Sequence, residues 1–183
     1  MVVLIIINGE MGVKMKRIIE VCPQVYQVGG SSLSSPQDCC VYLVKGERES
    51  VLIDAGAGKS ASIIVDNMIQ SGIDIAAIKY IIATHGHIDH IGGLKELQER
   101  LQAQVVAHQL ELPAIQEGLP HLTAASWYGV DYKEVSVDRV LKGAQEAVAV
   151  GDLELVCLHT PGHTRGGISV YVDTGGQRVL FGQ

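Results

Sequence analysis

His85, His87, Asp89 and His90 fall within one run of ten residues, Thr84-His85-Gly86-His87-Ile88-Asp89-His90-Ile91-Gly92-Gly93, and side chains of these types at this spacing can hold a metal ion. Neutral imidazole and carboxylate are the nitrogen and oxygen donors that a borderline cation such as zinc accepts. His85 and His87 are two apart, so on extended backbone both leave from the same face. Gly86 leaves room for the chain to turn between them. A catalytic zinc site has three protein ligands and one open position, so a further ligand must arrive from another segment. The candidate is His163, in His159-Thr160-Pro161-Gly162-His163-Thr164, where Pro161 and Gly162 make a tight turn. His159, at a strand end, reads as packed or hydrogen-bonded, and His108 and His121 as structural or solvent-facing.

These residues need elements to carry them. Ile78 to Ala83 is short, apolar and rich in β-branched residues, as a buried strand is. The histidine run then lies in a loop at the carboxyl end of a strand, where ligands gather in open α/β sheets. Leu153 to Leu158 alternates like a second strand and delivers the His163 turn. Further strands are predicted near 18–21, 24–29, 40–45, 50–54, 104–107, 140–149, 168–172 and 178–181. Helices are predicted over 60–71, with Ser60 as cap and Gly72 as stop, over 92–102 and over 108–118. The helix over 92–102 would turn its positive end toward the metal site. Within 111–136, Trp127 reads better as a plug in the local core than as a wall of a substrate pocket.

The chain has 183 residues, enough for one domain. A hydrophobic content of 47% with 19% charged residues describes a globular chain with a sizeable core. Aromatics are only 4%, so Val, Ile, Leu and Ala must build that core. A formal net charge of −6 and the lack of a Lys/Arg cluster disfavour a nucleic-acid partner. Cys22, Cys39, Cys40 and Cys157 are too sparse for a disulfide framework, which points to a reducing cytoplasm. Cys157 reads as a small core residue, and packing is expected of the Cys39-Cys40 pair. Val2 to Ile7 is too short to span a membrane, so no membrane partner is expected.

Thr84-His85-x-His87-x-Asp89-His90-x-Gly92-Gly93, followed by His159-Thr160-Pro161-Gly162-His163-Thr164 and preceded by Val51-Leu52-Ile53-Asp54-Ala55-Gly56, resembles the metallo-β-lactamase-fold hydrolases, nearest their glyoxalase II-like and lactonase-like branch. The resemblance covers roughly residues 17 to 183, with residues 1–16 as an N-terminal extension. It implies an α/β (α+β) fold, the αββα sandwich, here its first half plus the beginning of the second. It also implies that His85, His87 and His163 hold a first zinc, that Asp89 and His90 begin a second metal site, and that Asp54 hydrogen-bonds the loop carrying the ligands. The activity implied is zinc-dependent hydrolysis of an ester-type bond, thioester or lactone, by a metal-bound hydroxide that Asp89 orients.

The family pattern places a bridging Asp one residue beyond Gln183 and a last His further on, so the chain is expected to be truncated and its activity impaired. The half-covered sheet this leaves predicts a homo-oligomer. Two alternatives share the histidine pattern. One is an iron oxygenase of the persulfide dioxygenase type. The other is a non-catalytic metal-binding module completed by a partner chain.

Overall fold

The computed structural model describes residues 17–182, so the N-terminal extension at 1–16 and Gln183 lie outside the described residues. Eleven strands and six short helices follow in chain order among the described residues. The strands β1 (Ile19–Cys22), β2 (Val25–Gly29), β3 (Val41–Lys45) and β4 (Ser50–Ile53) form an antiparallel meander. Helix α1 (Ala61–Gln70) then crosses to β5 (Ile78–Ile82), which lies parallel to β4. After β5 come α2 (Ile88–Ile91), α3 (Leu94–Leu101) and the parallel β6 (Gln104–His108). The helical turns α4 (Leu112–Ile115), α5 (Pro120–Thr123) and α6 (Ala125–Tyr128) precede β7 (Arg139–Leu141), which closes a seven-stranded sheet in the order β1 to β7. The last strands, β8 (Gln145–Val150), β9 (Leu153–His159), β10 (Ile168–Asp173) and β11 (Arg178–Phe181), make a separate four-stranded antiparallel sheet.

Alternation along the strands builds two cores. Leu43, Leu52, Ile81 and Val105 point to one side of the large sheet and meet Ile64 and Met68 of α1 and Leu94, Leu97 and Leu101 of α3. Val44, Val51, Ile53 and Val106 point to the other side and meet Val148, Leu155, Cys157, Ile168, Val170 and Phe181 of the small sheet. The result is a helix layer, a large sheet and a small sheet, the mixed α/β sandwich expected. Each fully buried Ile or Leu contributes about 1.5–3 kcal/mol relative to exposure, so the aliphatic core suffices with few aromatics. Among the described residues no helix is long and apolar enough to cross a membrane.

Several local expectations change. The predicted strand over 140–149 is two strands in different sheets. It breaks at Lys142 and Gly143, whose N–H groups both donate to the Glu146 carboxylate. The predicted helix over 108–118 is a 3-10 turn at Gln109–Glu111 followed by the one-turn α4. Ser60 stands at the cap of α1 but its hydroxyl donates to Asp38 at 2.5 Å and not to the helix. Of the apolar residues spaced along α1, Ile64 and Met68 are buried while Ile63 and Ile69 are exposed. All four cysteines are free thiols; Cys157 is buried in the inter-sheet core and Cys39 partly buried, whereas Cys40 is exposed, not packed as expected.

Candidate functional site

Thr84 leaves β5 at its carboxyl end, and the chain turns at once through His85, Gly86 and His87 into α2, which carries Asp89 and His90. The helix expected over 92–102 is present as α3, preceded by the single turn α2. His87 is the N-cap of the four-residue α2 and Gly93 the N-cap of α3, and the position of Gly93 is fixed by a close approach. A Cβ on Gly93 would stand 2.2 Å from the carbonyl oxygen of Ala55, so only glycine lets the two turns meet. The Ala55 N–H donates to the His90 carbonyl at 2.8 Å, which joins the Asp54 turn to the histidine turn.

Three imidazoles converge across the gap between the sheets. His85 Nε2 lies 3.2 Å from His87 Nδ1, and His87 Nδ1 lies 2.9 Å from His163 Nε2. One ligating nitrogen from each of the three falls within 4.8 Å of the others. Two nitrogens on a tetrahedral zinc, each about 2.0–2.1 Å from the ion, stand roughly 3.3 Å apart, so the separations present suit a small cation. The exposure of the rings rises from His85, which is buried, through His87 to His163. Burial first, then the neighbouring rings of His90, His87 and His163, push His85 down to about 2. His87 is also lowered, by burial first and then by His163. Neutral rings with lone pairs facing inward are the form in which histidine binds a metal.

Asp54 sits under this cluster with a positive φ of 64°, a conformation that Asp tolerates better than most side chains. Its Oδ1 accepts from the N–H of Thr84 at 2.8 Å and from the Thr84 hydroxyl at 2.9 Å, and its Oδ2 stands 2.8 Å from His90 Nδ1. Burial, the largest influence on His90, lowers its pKa, but the Asp54 charge and hydrogen bond and the Asp89 charge together outweigh it and leave the value raised. The Thr84 oxygen also stands 3.2 Å from His85 Nδ1, which would leave the His85 Nε2 lone pair free to face His87.

Above the histidines opens a pocket of about 800 Å³ lined by Asp89, Pro120, His121, Ala124, Trp127 and Tyr128 along with the rings. Trp127 is 87% exposed, which corrects its reading as a core plug. The α5 and α6 turns, joined through Ala124 at a φ of 56°, are too short to bury an indole and hold it over the opening instead. The Tyr128 phenol is raised by burial first and then by the charge of the nearby Asp89.

The other histidines divide. His121 lines the pocket, whereas His108 is buried and its ring stacks on His159 with centroids 4.0 Å apart. His159 Nε2 also meets the carbonyl of Arg165 at 3.0 Å. Two buried carboxylates escape sequence reasoning. Asp38 accepts from the Ala57 N–H at 2.9 Å and from the hydroxyls of Ser60 and Ser34. Glu111 lies between the two histidine loops. No motif surrounds either residue, because their partners are mostly backbone groups and hydroxyls remote in sequence.

The model of one protein family, described as the metallo-beta-lactamase superfamily, matches residues 35–182. A probable metallo-hydrolase of Bacillus subtilis, YflN, is 36% identical over 141 residues, which are 71% of this chain and 53% of that protein. The acyl-coenzyme A thioesterase MBLAC2 of Bos taurus is 26% identical over 164 residues, 77% of this chain and 56% of the relative. Among solved structures, BJP-1, a subclass B3 metallo-beta-lactamase of Bradyrhizobium japonicum, superposes with a TM-score of 0.76 at 29% identity, over 90% of this chain and 60% of that one. The chain thus spans little more than half the length of these relatives.

Proposed function

The chain belongs to the metallo-beta-lactamase superfamily, and on that premise we propose that it is a zinc-dependent hydrolase of ester-type bonds, thioester or lactone. His85, His87 and His163 would hold one ion, Asp89 and His90 would begin a second metal position, and Asp54 would orient His90. The observation that carries this is the approach of three imidazole nitrogens from two loops to 2.9 and 3.2 Å. Likeness to an acyl-coenzyme A thioesterase adds support for the ester-type bond.

A divalent ion bound there lowers the pKa of a water from about 15.7 to about 7 and polarises a carbonyl oxygen. The chain's own residues do the rest. Thr84 and Asp54 fix the orientation of His85 and His90 by hydrogen bonds. Asp89, on the pocket wall, accepts a proton from the attacking water and returns it to the departing thiolate or alkoxide. Tyr128 lines the same pocket, close enough to Asp89 to feel its charge. Pro120, Ala124 and Trp127 offer an apolar wall against which an acyl group can lie.

Elemental analysis of the purified chain, followed by turnover of a thioester and lactone panel by the zinc-loaded protein, tests this. Zinc near stoichiometric with ester cleavage is the expected result. Iron together with oxidation of a persulfide would replace the hydrolase by an oxygenase. Metal without turnover on any ester would leave a metal-binding module, and no metal would overturn the proposal altogether.

A further inference from the structure

We infer that Glu111 is a positioning residue whose single carboxylate clamps the two histidine loops together at ligating distance. Glu111 ends the 3-10 turn after β6 and is 4% exposed. Its Oε2 accepts from the Gly86 N–H at 2.7 Å, and its Oε1 accepts from the Gly166 N–H at 2.6 Å. Gly86 stands between His85 and His87, and Gly166 stands three residues after His163. The first loop leaves the large sheet and the second leaves the small sheet, so one side chain ties together segments that their own sheets hold apart. The backbone comes so close that a Cβ on Gly86 would lie 2.4 Å from the Ala114 Cβ and 2.7 Å from Glu111 Oε2. Only a bare peptide fits there, and its N–H points at the carboxylate.

A second tie, from the Ile168 N–H to the Thr84 carbonyl at 2.9 Å, joins the same loops at their base. It fixes where they leave their sheets. Glu111 fixes the residues beside the rings themselves. Hydrogen bonds to an ionised acceptor are shorter and stronger than neutral ones. Partners that orient metal-binding residues typically change affinity about 10–100-fold when removed.

This inference rests on His85, His87 and His163 as metal ligands, and its test separates the two. Zinc affinity is measured by chelator competition on the wild type, Glu111→Gln and Glu111→Ala, alongside the melting temperature of each metal-free protein. Glu111→Gln keeps the volume but sets an NH2 group against one of the two N–H donors. The expected result is wild-type binding and an affinity about 10–100-fold weaker in folded Glu111→Gln. A wild type that does not bind zinc overturns the ligand assignment. A wild type that binds while folded Glu111→Gln binds equally well overturns the clamp alone, even if the melting temperature falls. Should the variants fail to fold, amide exchange in the metal-free wild type decides. Slow exchange at both Gly86 and Gly166 supports the clamp, and fast exchange at either overturns it.

Discussion

Asp54 Oδ2 lies 2.8 Å from His90 Nδ1 while Oδ1 of the same carboxylate accepts from the Thr84 N–H at 2.8 Å, so one side chain orders both ends of the histidine turn. Leaving the Thr84 N–H unpaired in the interior costs about 1–3 kcal/mol. Asp54→Ala also places a Cβ-only side chain at a φ of 64°, which Asn bears more easily. Thermal unfolding should therefore rank wild type above Asp54→Asn above Asp54→Ala. Equal stability of the two variants would count against this account.

On the proposed function, His87 Nδ1 and His163 Nε2, 2.9 Å apart, would share one ion. The double variant His87→Ala, His163→Ala should lose zinc affinity by at least about tenfold. Unchanged metal content by elemental analysis would sink the assignment.

Acid should weaken the metal-free chain through His108. Its ring is 2% exposed. Burial first, and then the charge of His159, lower its pKa against the opposing charges of Glu111 and Glu146. With the folded value below the unfolded one, the unfolded chain takes up the proton first as pH falls. The stabilisation is thus complete above about pH 6.5 and is lost as pH falls through the folded value. His85 and His87 act in the same direction and His90 in the opposite one, so the informative comparison is with His108→Leu. That variant should lose less melting temperature between about pH 7 and about pH 5 than the wild type does. An identical slope would remove His108 from the explanation.

Trp127, 87% exposed over the pocket, contributes little to folding. Trp127→Ala should stay within about 0.5 kcal/mol of wild-type stability. If the indole meets the acyl group, KM for an apolar thioester should rise about tenfold while kcat changes less. An unaltered KM would assign the apolar contact elsewhere.

The outer face of the small sheet carries a row formed by Ala147, Val156, Tyr171 and Leu180, paired in register across its four strands. Leu180 is 61% exposed. Light scattering should find a mass that rises with concentration, and Leu180→Lys should suppress the rise. A monomer at every concentration would rule out association through this face.

The sequence by itself marked the residues proposed to carry the chemistry and the strands that lead to them. Imidazoles spaced as in His85-x-His87, a strand before them and a second histidine turn after another strand are local patterns, and local periodicity reports them directly. The alternation read along Leu153 to Leu158 also matches burial, with Leu153, Leu155 and Cys157 turned inward, because alternation depends only on the pleat. Only the tertiary structure decided which sheet each strand joins. The stretch 140–149 reads as one strand because both of its halves have strand character, and the break depends on how Glu146 folds back onto Lys142 and Gly143. Ser60 looks like a cap, yet its hydroxyl goes to Asp38, 22 residues away. Glu111 and Asp38 are silent in sequence because much of what they bind is backbone N–H, which every residue but proline carries and no motif can mark. The indole of Trp127 is exposed because the short turns around it enclose too little volume to cover it, a property of three-dimensional packing that residue type alone does not encode.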